Sequence, residues 1–458
     1  MTDSDYWPRI LGDGGEATAE AMRAALAFLD AHSTGELLSR VGQTIDEIPA
    51  PRPADKRLLP DAFGRRHAGP TDDLLTGRGM FYLTEQRRLV LDCTSGHYQM
   101  LWGYNDPALC AAVADAVAGG IVWDGHCNIP QAPVKALAAR LLDLASPPGA
   151  ADPLDTAHLG CATGSVACAA ALKIQLMCHR RRAAAGEPPV IVVLDGNYHG
   201  TDMICQRLRG MWPEYVANLE VATVQPNDAD ELESFFDRCG TRVAGFWAEP
   251  IMMNREAIVV QADYLQLARR LCDRTGALMC LDEIQTGFWT PEVFACREMG
   301  VQPDLLVAGK GMTGGFHPQA AVLLKSRHDV LATYDAISTN GTAPLPCYVA
   351  LCCLDRLAAE AGRVAAAGDR FAAGMRALVG ASGGALVDAR GRGHMMGLKF
   401  RRRDDALDFH RRAVDAGLWV RAHAYHEGHS TVLTKLALPA DEEIVDFICQ
   451  RFRALLRG

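Results

Sequence analysis

No CxxC pair occurs in this sequence, although it holds 15 cysteines. They stand singly or as the adjacent pair Cys352 and Cys353. Neither a zinc cage nor a disulfide framework is signalled, and they read as reduced, mostly buried, small apolar residues. Basic residues are in deficit: 46 Lys and Arg face 55 Asp and Glu, for a net charge of -9. A surface for nucleic acid or an anionic membrane needs a basic stripe, so neither partner is expected. No apolar run approaches the roughly 18 to 20 residues that span a bilayer. The opening stretch MTDSDYWPRI lacks both the basic start and the apolar segment of a secretion signal. Internal repeats and long low-complexity tracts are missing too. These exclusions leave a soluble cytoplasmic protein whose partners are small molecules and further copies of itself.

What is there is a large core in prospect, since 49% of 458 residues are hydrophobic. From about residue 160 to 325 helices and strands alternate. CATGSVACAAALKIQLMCHRRR reads as a helix after a Thr-Gly-Ser opening, VIVVLDG and GFWAEP as buried strands, and DYLQLARRLCDRTG as an amphipathic helix stopped by glycine. ALMCLDEIQ and DLLVAGK add two strands that end in polar residues. This rhythm predicts an α/β fold with a mainly parallel central sheet, helices on both faces, and ligands beyond the carboxyl ends of the strands. Residues 1–75, with a helix in GEATAEAMRAALAFLDAHS and a proline-rich connector, EIPAPRPADKRLLP, form an N-terminal arm. Residues 76–125 open a smaller α+β domain, 126–345 make the large domain, and 346–458 complete the small one.

Lys310 ends a run of residues fit for a buried strand and enters a turn with Gly311, Gly314 and Gly315. Asp282 and Gln285 end a neighbouring strand, so Asp282 and Lys310 are expected to face one pocket. A partly desolvated lysine attacks aldehydes, and an aspartate beside it can hold a pyridinium nitrogen protonated. Thr163, Gly164 and Ser165 open a helix, where free N–H groups and the helix dipole favour an anion; ordinary capping by Thr163 or Ser165 is the alternative. Tyr198 follows a strand end, from which it could stack on a flat ring.

These stretches together resemble the class III aminotransferases, pyridoxal phosphate enzymes of fold type I. The resemblance rests on LDEIQTGF, the lysine of VAGKGMTGG 28 residues after Asp282, AEPIM upstream and RGRGHMMGL downstream. It covers the chain from about residue 78 onward. It implies a homodimer with active sites at the subunit interface and pyridoxal 5'-phosphate held by a Schiff base to Lys310. By the same resemblance Asp282 would pair with the pyridine nitrogen, Gln285 would contact the ring hydroxyl, Thr163, Gly164 and Ser165 would bind phosphate, and Tyr198 would stack. Thr342 would reach the partner subunit's phosphate, and Glu249 would lie near the substrate. His97, Tyr98 and Gln99 fall in the segment that lines the family's substrate pocket.

Departures from the family pattern fall on the substrate side. Val166 stands where an acidic residue is usual, WTPEV replaces a glycine-arginine run after Phe288, and the arginine common after the glycine of GNYHG is missing. Lys435 aligns with an arginine that clamps an α-carboxylate in many members. Lysine offers only a mobile point charge there, with Arg421 or Arg392 as substitutes. The implied activity is transfer of an amino group between an amine or amino acid and a carbonyl acceptor, as in specialised metabolism. The alternative is another reaction of the same cofactor on the same fold: racemisation or amino migration, decarboxylation, side-chain replacement or carbon–carbon bond formation. His423, His426 and His429 lie close in sequence, but their spacing matches no metal motif, and no metal is expected.

Overall fold

The computed structural model describes residues 6–52, 73–182, 188–424 and 426–457; most of the proline-rich connector lies outside them. Its centre is a seven-stranded sheet. In chain order the strands are β1 (Thr156–Cys161), β2 (Val190–Leu194), β3 (Glu220–Val224), β4 (Val243–Ala248), β5 (Leu278–Glu283), β6 (Leu305–Ala308) and β7 (Ala320–Leu324). Their spatial order is β1-β7-β6-β5-β4-β2-β3. Only β7 runs antiparallel to its neighbours. The mainly parallel sheet expected from the strand–helix rhythm is present. β2, β4, β5 and β6 are buried along their whole length, which is why they read as unbroken apolar runs without alternation.

Helices cover the sheet. Helix α1 (Gly164–Arg182) follows β1, and the amphipathic helix Ala262–Thr275 ends at Gly276 with φ 72°, the left-handed stop that glycine supplies. One face of the sheet packs Phe246, Leu281 and Leu306 against Leu137, Leu141 and Leu265. The other packs Trp247, Cys280 and Val307 against Ala167, Ala171 and Ile174.

A second core lies apart from the sheet. It joins Phe28 and Leu29 of the N-terminal helix Gly15–Ala31 to Leu83, Leu91, Phe409 and Phe452. Here the strands Leu74–Arg78, Phe81–Thr84 and Leu89–Asp92 pair antiparallel, with Leu418–Trp419 added alongside. Leu386–Arg392, Met395–Phe400, Thr431–Lys435 and Arg421–His423 make a further antiparallel sheet. The N-terminal helix is thus an integral wall of the smaller unit. One 38-residue helix, α2 (Pro344–Ala381), carries Cys347 and Leu354 in the first core and Phe371 and Met375 in the second. The sequence boundary drawn at residue 346 falls inside this helix. Among the described residues no helix is long and apolar enough to cross a membrane.

Candidate active site

Asp282 is the last residue but one of β5, where the sheet hands the chain to a loop, and it is 3% exposed. A carboxylate there must be satisfied by nearby donors. The backbone N–H of Ile284 donates to Oδ1 at 2.9 Å, while His199 Nδ1 and Cys168 Sγ reach Oδ2 at 2.7 and 3.4 Å. The His199 ring rests 4.9 Å from that of Trp247, so its angle to Asp282 is fixed by packing. Cys168, His199 and Asp282 form a group compact enough to suggest a metal. Two of the three point at the same carboxylate oxygen, however, which makes Asp282 a held acceptor. His199 is not among the residues the sequence motifs mark; its place directly after Tyr198 is the only local sign of it.

Lys310 follows β6 and opens a short 3-10 turn. Its φ of 34° is left-handed, a strained value for a residue with a Cβ, costing about 1–3 kcal/mol. Burial lowers the pKa of its amine below 10.5, and Arg421 adds to that, while Asp282 and Glu249 oppose it. Gly311 beside it is required by contact. A Cβ there would lie 2.3 Å from Cζ3 of Trp289.

Lys310 and Asp282 line one cavity of 290 Å³ with Thr163, Gly164, Ser165, Tyr198, Gln285 and Gln99. At its α1 end, a Cβ on Gly164 would come within 2.6 Å of Ile284 Cδ1, and one on Gly200 within 2.4 Å of Ser165 Oγ. Both positions are therefore held to glycine by close packing against the residues at the helix start. Ser165 Oγ accepts the Thr201 N–H at 3.1 Å, and Thr163 Oγ1 caps the N–H of Val166 at 3.4 Å. Of the two expected readings, capping is seen at Thr163, while Ser165 faces the cavity. Tyr198 forms a side wall, with the Arg209 guanidinium 5.3 Å from its ring. An amine, a held carboxylate, an aromatic wall and a helix N-terminus around one cavity fit a flat, anionic aldehyde, and so fit pyridoxal phosphate.

Not every expected residue faces that cavity. Glu249 lies beneath it, 2% exposed. Its Oε1 accepts the Tyr198 N–H at 2.8 Å, and its Oε2 lies 3.5 Å from Gln285 Nε2. Burial first, and then Asp282, push its carboxyl well above the ordinary value. Its placement is that of a support for Tyr198 and Gln285. Thr342 is also outside the cavity, its hydroxyl donating to Cys127 O at 3.1 Å. His97 and Tyr98 line a neighbouring cavity of 410 Å³ with Arg421, Trp419 and Leu407. They belong to a turn, Ser95–Tyr98, whose four residues all have positive φ, 50°, 54°, 69° and 72°. Only Gly96 takes such values freely. Arg421 Nη1 donates to the His97 ring at 2.8 Å. Desolvation, with Arg421 and Lys310, holds the pKa of His97 down to about 4.

Lys435 departs most from its expected place. It is fully buried, its Nζ 2.6 Å from the carbonyl of Gln285, and it does not line the cavity. An ammonium enclosed this way has no line to a substrate carboxylate. Desolvation, with Lys310 nearby, lowers its pKa well below 10.5.

A family model described as aminotransferase class-III matches residues 73–456. An acetylornithine aminotransferase of Xylella fastidiosa is 30% identical over 333 residues, covering 71% of this chain and 78% of that protein. An ornithine aminotransferase of Emericella nidulans is 35% identical over 207 residues; the match takes in 41% of this chain and 45% of the relative. Among solved structures, an aminotransferase from Vibrio fluvialis in its PMP-bound form superposes with a TM-score of 0.74. It is 19% identical, over 87% of this chain and 95% of that one.

Proposed function

Because this chain belongs to the class-III aminotransferases, a family that uses pyridoxal phosphate, we propose that it moves amino groups at the cavity around Lys310, from a donor that carries a carboxylate. The observation that carries the catalytic reading is the meeting of Lys310, Asp282, Tyr198, Gln285 and the N-terminus of α1 on one cavity. When bound, the cofactor supplies an aldehyde and an electron sink.

The chain's own groups do the rest. Lys310 Nζ, its pKa lowered by burial, is the nucleophile that holds the cofactor. Once displaced, it is the base that takes the proton from the substrate carbon bearing nitrogen. Asp282, fixed by three donors, would hold the ring nitrogen and keep its proton there. Gly164 and Ser165 would hold the phosphate at the helix start, Gln285 would meet the ring hydroxyl, and Tyr198 would cover one ring face.

Carboxylate recognition falls to Arg421. Lys435 is enclosed, whereas Arg421 is half-buried beside His97, lines the neighbouring cavity, and is close enough to Lys310 to bear on its titration. The leucine, tryptophan and alanine walls of that cavity suit a donor with an apolar body between its amine and its carboxylate. A homodimer is supported by one surface. Trp123, Ile129 and Tyr334 are 75%, 68% and 59% exposed, and Asn128 bonds Tyr334 at 2.7 Å beside Thr342. The 15 free thiols suit a reducing compartment, the cytoplasm.

The test is to mix cofactor-loaded protein with a panel of amines and amino acids, without acceptor, and assay the cofactor released on denaturation. Stoichiometric conversion to pyridoxamine phosphate by some donor is expected; recovery of pyridoxal phosphate with every donor overturns the transfer reading. R421A should lower kcat/KM for carboxylate donors by about 10- to 100-fold, the worth of a charged hydrogen bond. Plain amines should be spared.

A further inference from the structure

Lys435 ends the strand Thr431–Lys435 and is 0% exposed. Its Nζ has three neighbours: Gln285 O at 2.6 Å, Tyr98 O at 3.3 Å, and the face of Trp289, whose centroid is 3.3 Å away. No carboxylate is among its partners in the described residues. The backbone of the same residue is tied to the same place. Its N–H donates to Cys93 O at 2.8 Å, and its carbonyl accepts Ser95 Oγ at 2.5 Å.

These bonds converge on the left-handed turn. Cys93 precedes the four residues with positive φ, and Ser95 and Tyr98 are the first and last of them; three of the four have a Cβ and resist that conformation. A strained turn persists only where its surroundings hold it, and Lys435 supplies bonds at both ends. Its other reach is to the cofactor side. Gln285 lines the main cavity, and Trp289, anchored by its own bond to Leu436 O at 3.0 Å, presses on Gly311 next to Lys310.

We propose that Lys435 is a positioning residue that clamps the Ser95–Tyr98 turn, the wall bearing His97 and Tyr98, onto the segment carrying Gln285 and Trp289. The proposal rests on the aminotransferase reading for its effect on turnover, but the clamp itself is a property of the fold. The lysine keeps a wall of the substrate site in register with the cofactor floor without touching substrate.

The test is K435M in the full-length, cofactor-loaded protein. Methionine keeps the length of the stem and loses the donors to Gln285 O and Tyr98 O. Hydrogen exchange of peptides spanning residues 94–100 should speed up about tenfold while exchange elsewhere stays the same. KM for the amino donor should rise about tenfold with kcat of the half-reaction nearly unchanged, because ground-state and transition-state contacts are weakened alike. S95A, which removes the hydroxyl's bond to the Lys435 carbonyl, should shift the same peptide in the same direction, and it serves if K435M does not fold. Unaltered exchange in 94–100 together with an unaltered KM overturns the proposal. Failure of the wild-type protein to transfer amino groups would instead strike the functional reading, and the exchange data would still decide the clamp.

Discussion

Glu249 is a carboxyl group whose surroundings favour its neutral form. Burial and the neighbouring Asp282 raise its pKa well above the ordinary 4.5, despite the Tyr198 N–H and the positive charge of Lys310. From pH 4.5 up to the raised value, the folded chain binds more protons at this site than the unfolded chain does. Stability from this group therefore falls as pH rises through that window. E249Q has no proton to lose, so its thermal midpoint relative to the parent protein should climb steadily as pH is raised from about 4.5 toward neutrality. A difference that stays flat with pH would contradict a raised Glu249. At this scale the sequence was informative where a side chain's setting is local. Lys310 and Asp282 announce themselves at the ends of apolar runs. His199 does not, because its meaning lies in an oxygen 83 residues away, and Lys435 could not be read as enclosed from a strand-end motif that looks like a substrate contact.

Among the elements, the buried strands were the easiest to read, since each is a short apolar run closed by polar residues. The turn Ser95–Tyr98 was not. Of its four residues only glycine tolerates positive φ, so no local preference points to a left-handed turn. Long-range bonds from Lys435 hold it. The turn after β6 shows the opposite case, where glycine is demanded by a neighbour. G311A would drive a Cβ to within 2.3 Å of the Trp289 ring, whose indole is already tied to Leu436. Overpacking of this kind costs about 1–3 kcal/mol. The variant should unfold at lower urea concentration than the parent, with activity reduced because the shift begins one residue from Lys310. An unchanged urea midpoint would mean that the indole can move aside freely.

For the whole molecule, the proposed pairing of chains makes a prediction that one chain alone cannot. If Thr342 serves the partner's phosphate, K310A in one chain and T342A in the other fall in the same site of a mixed dimer. A mixed dimer then rebuilds one intact site from the Lys310 of one chain and the Thr342 of the other. Co-expressed in equal amounts, the two variants should recover about a quarter of parental activity, since half of random dimers are mixed and each has one good site. Activity no greater than the mean of the two variants alone would place Thr342 in its own chain's site or in none. The architecture of the large unit was legible from the strand–helix rhythm, whereas the course of α2 was not, because an alanine-rich stretch looks the same whether it stays in one core or joins two. That helix, at 38 residues, is about 57 Å of continuous hydrogen-bonded rod, with its ends sunk in different cores. Like a keel, it gives the protein stiffness at the cost of articulation. Cutting the chain within the keel should leave each core without part of its packing.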